Sequence, residues 1–219
     1  MICSVKHYSV SSFQPSRPAG QRSVVGLAAQ PMERVRVGFV GLGQRGREAV
    51  MRWCHLERTD IVAVCDLSAD SVADVQQLLR DNGRPAALAF SSAEQLCDMP
   101  NLDLVYVCTD WASHFSMACC ALEHGHHVAV EVPAVMTIRE AWQLVDLAER
   151  QQLHCMMLEN CCYDYFELAT AAMAQQGLLG EVVHGEGGYC HNLGDRWEPW
   201  RLRYNAVHRG DVYPTHGLG

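Results

Sequence analysis

From Val35 onward, short runs rich in Val, Ile, Ala and Leu alternate with stretches whose apolar positions recur every three or four residues. The runs Val35–Val40, Ile61–Cys65, Ala86–Phe90, Leu104–Cys108, Val128–Val132 and His154–Leu158 read as strands. Helices fill the gaps. Val72, Val75 and Leu79 share one helical face, and Thr137 with Glu140 forms a capping box that starts another helix, whose core face is Ala141, Leu144, Val145 and Ala148. This alternation predicts an α/β fold, a Rossmann-type doubly wound parallel sheet with helices on both faces, over residues 35–159.

After Asn160 the rhythm changes. A helix around Phe166–Gln176 leads through Gly177-Leu-Leu-Gly180 to a strand-like stretch, Glu181–His191. Residues 160–219 thus read as the start of a substrate-binding α/β domain with an open sheet, incomplete at Gly219. On that stretch Gly185, Gly187, Tyr189 and His191 fall on one face, which either leaves a hollow beside Tyr189 or is covered by another element. Residues 1–34, rich in Ser, Pro, Gly and Gln, read as a mobile leader.

With 219 residues, 49% of them hydrophobic, the chain can bury a substantial core. Its net charge of −8, with no stripe of Lys or Arg, argues against a nucleic-acid partner. No apolar stretch is long enough to predict a transmembrane segment. The eleven cysteines are odd in number, include two adjacent pairs, and lack C-x-x-C spacing, so they read as reduced core residues. Together with the lack of a clear signal peptide, they favour a cytoplasmic over a periplasmic setting. The cluster Glu123-His-Gly-His126-His127 reads as a solvated turn, and no metal site is expected.

The most informative local chemistry is Gly41-Leu-Gly43-Gln-Arg-Gly46, placed between the first strand and the first helix. Gly41 permits the tight bend, Gly43 lets a pyrophosphate approach the backbone, and Gly46 lets helix and strand pack closely. The free N–H groups of the new helix favour negative charge. The second strand ends in Asp66, where a carboxylate accepts the adenosine ribose hydroxyls. Leu67 and Ser68 follow where a 2′-phosphate would want Arg, so the expected cofactor is NAD rather than NADP. Downstream, Asn192–Gly219 combines Arg196, Trp197, Trp200, Arg201, Arg203, Tyr204, Tyr213 and His216 with little periodicity, which suits a polar ligand more than a merely structural loop.

Four further segments, Cys108-Thr-Asp-Trp-Ala-Ser-His114, Val130-Glu-Val-Pro-Ala134, Met156-Met-Leu-Glu-Asn-Cys-Cys-Tyr163 and Tyr213-Pro-Thr-His-Gly-Leu-Gly219, complete a resemblance. From about Val35 to Gly219 the chain resembles the Gfo/Idh/MocA oxidoreductases, and within them the NAD-dependent α-N-acetylgalactosaminidases of glycoside hydrolase family 109. Dehydrogenases of that superfamily mostly carry E-K-P where this chain has Glu131-Val132-Pro133, and their lysine helps move the proton of the alcohol being oxidised. The resemblance therefore implies a retaining glycosidase that releases terminal α-N-acetylgalactosamine from a small molecule or glycan. In that scheme the sugar C3 is transiently oxidised, the C1 substituent is eliminated, water adds, and the hydride returns.

Carried over residue by residue, the resemblance places Gln44 and Arg45 with Gly41, Gly43 and Gly46 in the phosphate turn and Asp66 on the ribose. It sets Trp111, Ala112, Ser113 and His114 beside the cofactor, and Glu131, Val132 and Asn160 on its nicotinamide side. Tyr163 and His216 match the acid/base pair; Tyr189, Arg201, Tyr213, Pro214, Thr215 and His216 match sugar contacts. His114 and Tyr163 also have plain packing roles open to them. The family continues well beyond Gly219, and its open sheet offers a surface for a homo-oligomer. An NAD-dependent sugar dehydrogenase and an inactive NAD-binding fragment are the alternatives.

Overall fold

The computed structural model describes residues 17–186. Six strands form one sheet, all neighbours parallel: β1 (Val35–Val40), β2 (Thr59–Cys65), β3 (Leu88–Phe90), β4 (Leu104–Val107), β5 (His127–Val130) and β6 (Cys155–Met157). Their order, β3-β2-β1-β4-β5-β6, is that of a Rossmann-type doubly wound sheet. The helices are α1 (Gln44–Trp53), α2 (Ala69–Asp81), α3 (Ala93–Cys97), α4 (Trp111–Glu123), α5 (Ile138–Gln151) and α6 (Tyr165–Gln175).

Each face of the sheet has its own core. Val37, Phe39 and Val64 pack with Ala49 and Val50 of α1 and Val75, Leu78 and Leu79 of α2. Val40, Val105, Val107 and Val130 pack on the other side with Leu96 of α3, Ala118, Ala121 and Leu122 of α4, and Leu144, Leu147 and Ala148 of α5. Full burial of a side chain of Leu or Phe size contributes about 1.5–3 kcal/mol, so these two layers dominate stability. All six expected strands are present, most with ends shifted by a residue or two.

Local signals set the helix starts. Ser68, Ser92, Asp110 and Thr137 each accept a backbone N–H three residues on, and Thr137 with Glu140 makes the full capping box. On α5 the expected face is corrected at one position: Val145 is exposed, and Leu147 takes its place in the core. The apolar stripe is wide enough for either edge, and Leu147 is the edge that joins the core.

One other expectation is corrected. The turn after α4 is solvated only at Glu123, His124 and Gly125, whereas His126 is buried, its ring nitrogens 2.9 Å and 2.7 Å from the carbonyl oxygens of Leu102 and Cys97. Within the stretch read as a leader, Arg17, Gln21 and Arg22 contact α5 and the residue that caps it. Arg17 donates to both oxygens of the buried Glu149 at 2.7–2.9 Å, Gln21 donates to Glu149 and Asp146, and Gln152 donates to the Arg22 carbonyl.

Beyond β6, a 3-10 turn (Asn160–Tyr163) leads into α6, none of whose residues is buried. Residues 181–186, the described part of the strand-like stretch, form no strand and are exposed. Gly187, Tyr189, His191, Arg201 and the Tyr213–His216 run lie outside the described residues.

Candidate cofactor site

The order of the sheet reverses between β1 and β4, and a parallel sheet opens a crevice at the carboxyl ends of its strands at such a point. A cleft of about 640 Å³ lies there. Gly41, Gly43, Gln44 and Arg45 follow β1 along its wall, Asp66 and Leu67 follow β2, Ser91–Glu94 follow β3, and Thr109, Asp110 and Ser113 follow β4.

The glycine turn is built for a phosphate. Gly41 has φ of +91°, and a Cβ on it would lie 2.5 Å from the Cys108 carbonyl oxygen. A Cβ on Gly46 would run into the Gly41 carbonyl, so that glycine sets how closely α1 packs. Gly43 differs from both, since a Cβ there would meet no protein atom within 4 Å. Its missing side chain leaves space open toward the cleft. The α1 N-terminus has no side-chain cap and no acidic residue in its first turn, so its N–H donors and positive dipole end remain for an anion.

Asp66 ties the second strand to this turn. Its Oδ2 accepts the Leu42 N–H at 2.6 Å and its Oδ1 accepts the Ser68 N–H at 2.8 Å. Two backbone donors thus fix a carboxylate on the cleft wall beside the turn, where ribose hydroxyls are donors it can accept.

Behind the cleft, at the end of β5, the buried Glu131 and Tyr106 meet the half-exposed Arg45. Glu131 Oε1 accepts the Tyr106 hydroxyl at 2.8 Å and the Arg45 Nε–H at 3.0 Å. Burial opposes the Arg45 charge, but the hydrogen bond and charge of Glu131 outweigh it and raise the guanidinium pKa. Burial, reinforced by Glu131, raises the Tyr106 phenol, so it stays a neutral donor, and burial pushes the Cys108 thiol up to about 12. The two charged groups of this cluster come from the glycine turn and from Glu131-Val132-Pro133, which it holds together.

The remaining expected site residues are spread around this frame. Ser113 lines the cleft, Ala112 is exposed, and Trp111 and His114 are buried behind it. The His114 ring nitrogens lie 2.8 Å from the Pro133 carbonyl oxygen and 3.1 Å from that of Thr109, so this histidine pins the loops after β4 and β5 to each other. Val132 is half-buried beside Glu131, Asn160 is exposed, and Tyr163 is 62% exposed. Ser91–Glu94, Thr109, Asp110 and Tyr106 were not singled out from sequence. Ser92 and Asp110 carried the cap signal, and a tyrosine within a buried strand signals a hydroxyl that needs a partner.

Residues 35–159 match the Gfo/Idh/MocA family model, described as an oxidoreductase family with an NAD-binding Rossmann fold. A glycosyl hydrolase family 109 protein 1 of Bacteroides fragilis (strain YCH46) is 52% identical over 213 residues, 94% of this chain and 46% of that protein. A glycosyl hydrolase family 109 protein of Porphyromonas gingivalis (strain W83) is 48% identical over 221 residues, 97% of this chain and 47% of its own. The chain thus spans about half the length of the curated relatives it matches. Among solved structures, a scyllo-inositol dehydrogenase from Lactobacillus casei with bound NAD(H) and scyllo-inositol superposes with a TM-score of 0.61 at 17% identity, covering 68% of this chain and 43% of that one. The WlbA dehydrogenase from Chromobacterium violaceum, with NADH and UDP-GlcNAcA, gives a TM-score of 0.62 at 18% identity, over 70% and 44% of the two chains. These structures share the fold. With its glycine turn, Asp66 and matching family model, the chain belongs to the Gfo/Idh/MocA oxidoreductase family and carries an NAD-binding Rossmann domain.

Proposed function

We propose that this chain supplies the NAD-binding half of a retaining glycoside hydrolase that releases terminal α-N-acetylgalactosamine from a small molecule or glycan. The observation that carries this reading is its identity of about half, across nearly its whole length, to proteins named glycosyl hydrolase family 109. Val132 supports it. A valine cannot take the alcohol proton that a lysine takes at this position in the resembling dehydrogenases.

Gly41, Gly43, Gln44, Arg45 and Gly46 would hold the pyrophosphate and Asp66 the ribose, with Ser113 at the α4 end of the cleft and Glu131, Val132 and Asn160 toward the nicotinamide. Trp111, Ala112 and His114 support this wall rather than line it. When bound there, NAD⁺ would supply hydride chemistry at the sugar C3. The chain must supply the proton transfers. One base takes the O3 proton, one takes the acidified C2 proton, and an acid meets the leaving oxygen at C1. Tyr163 and His216 are assigned to this work, and Tyr189, Arg201, Tyr213, Pro214 and Thr215 to the sugar. A tyrosine base ordinarily needs a positive neighbour, which the oxidised cofactor offers.

A substrate methylated at O3 tests the reading in a protein of the relatives' length. It should bind and resist cleavage, because no C3 ketone can form. Rapid hydrolysis would exclude this chemistry, and accumulation of NADH with an unblocked sugar would identify a dehydrogenase instead.

A further inference from the structure

We propose that Cys97, Cys120 and His124 form a zinc-binding site where the end of α3 meets the end of α4. Cys97 closes α3 and is buried, while Cys120 lies in the last turn of α4 and His124 caps that helix. Four residues apart on a helix, Cys120 and His124 project from the same face one turn apart. The three potential ligand atoms all lie within 4.8 Å of one another, and Cys120 Sγ is 3.8 Å from His124 Nδ1. Zn–S bonds of about 2.3 Å and Zn–N bonds of about 2.0 Å at a tetrahedral angle require a sulfur–nitrogen edge only slightly shorter than this.

The surroundings have the features of a supported metal site. His124 Nε2 lies 3.2 Å from Asp98 Oδ1, and an imidazole ligand is commonly oriented by a carboxylate on its other nitrogen. The backbone of Cys97 is held in turn by the buried His126 ring, 2.7 Å from its carbonyl oxygen. Two thiolates and an imidazole suit a thiophilic ion such as zinc, and the solvent-open side of His124 leaves the fourth position to water. His124 Nδ1 now lies 2.7 Å from the Cys120 carbonyl oxygen. On binding, its proton gives way to the cation, Nε2–H donates to Asp98, and the two thiols release their protons to solvent, so that Zn²⁺ exchanges for two H⁺.

The site would clip α3 to α4. Ser92, Ala93 and Glu94, at the start of α3, form one wall of the cofactor cleft, and α4 reaches from Ser113 on that cleft to His124. At a rise of about 1.5 Å per residue His124 lies about 16 Å along α4 from Ser113, and none of the three ligands lines the cleft, so the zinc would sit behind the α3 wall rather than against the dinucleotide. Its effect is on stability, because an ion held by the folded chain alone shifts unfolding by mass action.

The test uses the reduced, chelator-stripped 219-residue chain, titrated with Zn²⁺ against a chromophoric chelator, and with Co²⁺ for its thiolate charge-transfer band. The expected result is one tight equivalent, a sulfur-to-cobalt band and a rise in Tm with zinc. His124→Ala and Cys120→Ser should weaken binding by at least about tenfold and abolish the rise, Asp98→Asn should weaken it by about tenfold, and the exposed Cys162→Ser should change nothing. His124 is largely a surface group, so its variant should still bind NAD, which reports that it folds. No tight equivalent in the reduced wild type, or an unchanged zinc affinity and cobalt band in His124→Ala, would overturn the proposal.

Discussion

Asp66 Oδ2 accepts the Leu42 N–H at 2.6 Å, so the carboxylate that ends β2 is fastened to the glycine turn that ends β1. One residue thereby shapes the phosphate turn and presents negative charge to the cleft wall.

The first prediction follows from that double role. The chain should bind NAD more tightly than NADP, since a 2′-phosphate would be pressed against a fixed carboxylate. Asp66→Ala should weaken NAD binding by about tenfold or more, about 1.4 kcal/mol, and narrow its preference over NADP. Calorimetry with both dinucleotides checks this, and equal affinities in the wild type would refute it.

Two glycines of the same turn should respond in opposite ways. Gly46→Ala drives a Cβ into the Gly41 carbonyl and should lower Tm along with NAD affinity. Gly43→Ala meets no protein atom, so Tm should hold while NAD affinity falls. A Gly43→Ala chain with wild-type affinity would mean that phosphates do not approach there.

Arg17 and Glu149 should give acid-sensitive stability. The Arg17 hydrogen bonds, opposed by burial and aided by Gln21, hold the Glu149 carboxyl below its ordinary value. A carboxyl with a lowered folded pKa stabilises at pH above its unfolded value, near 4.3, and loses that contribution as pH falls through the folded one. Arg17→Ala should therefore lower Tm at neutral pH, with the gap from wild type closing below about pH 4. A gap constant into the acid range would show that the ion pair is not its source.

Tyr163→Phe, in a protein of the relatives' length, should lower turnover by about a hundredfold while NAD stays bound, and His216→Ala should do the same. Turnover and NAD affinity are measured on the same preparations. Near-normal turnover of either variant would remove that residue from the acid/base pair.

Local signals in the sequence carried most of the fold. The β-branched strands, the cap residues and Gly41 to Gly46 act within a few neighbours, so their structure was legible. What depended on distant packing was not. Val145 and Leu147 flank the same stripe, and tertiary packing, not the pattern, decides which is buried. Tyr106 lies on β4 and Glu131 just after β5, 25 residues apart, and no pattern announces their hydrogen bond. The Ser91–Glu94 wall depends on where a three-residue β3 pairs with β2. Arg17 and Gln21 sit in a stretch whose composition suggests mobility, and a buried carboxylate on α5 fixes them. The Cys97, Cys120 and His124 group is split between two helices, and the spacing of Cys120 and His124 marks only two of its three members.

The most direct test of the account is isotopic. A protein of the relatives' length, given an aryl α-N-acetylgalactosaminide in deuterated water, should release sugar carrying deuterium at C2, with no net NADH. A borrowed hydride makes the C2 hydrogen acidic enough to leave to a base before water adds, whereas direct displacement by a carboxylate never breaks that bond. Cleavage that leaves C2 wholly protonated would contradict the account.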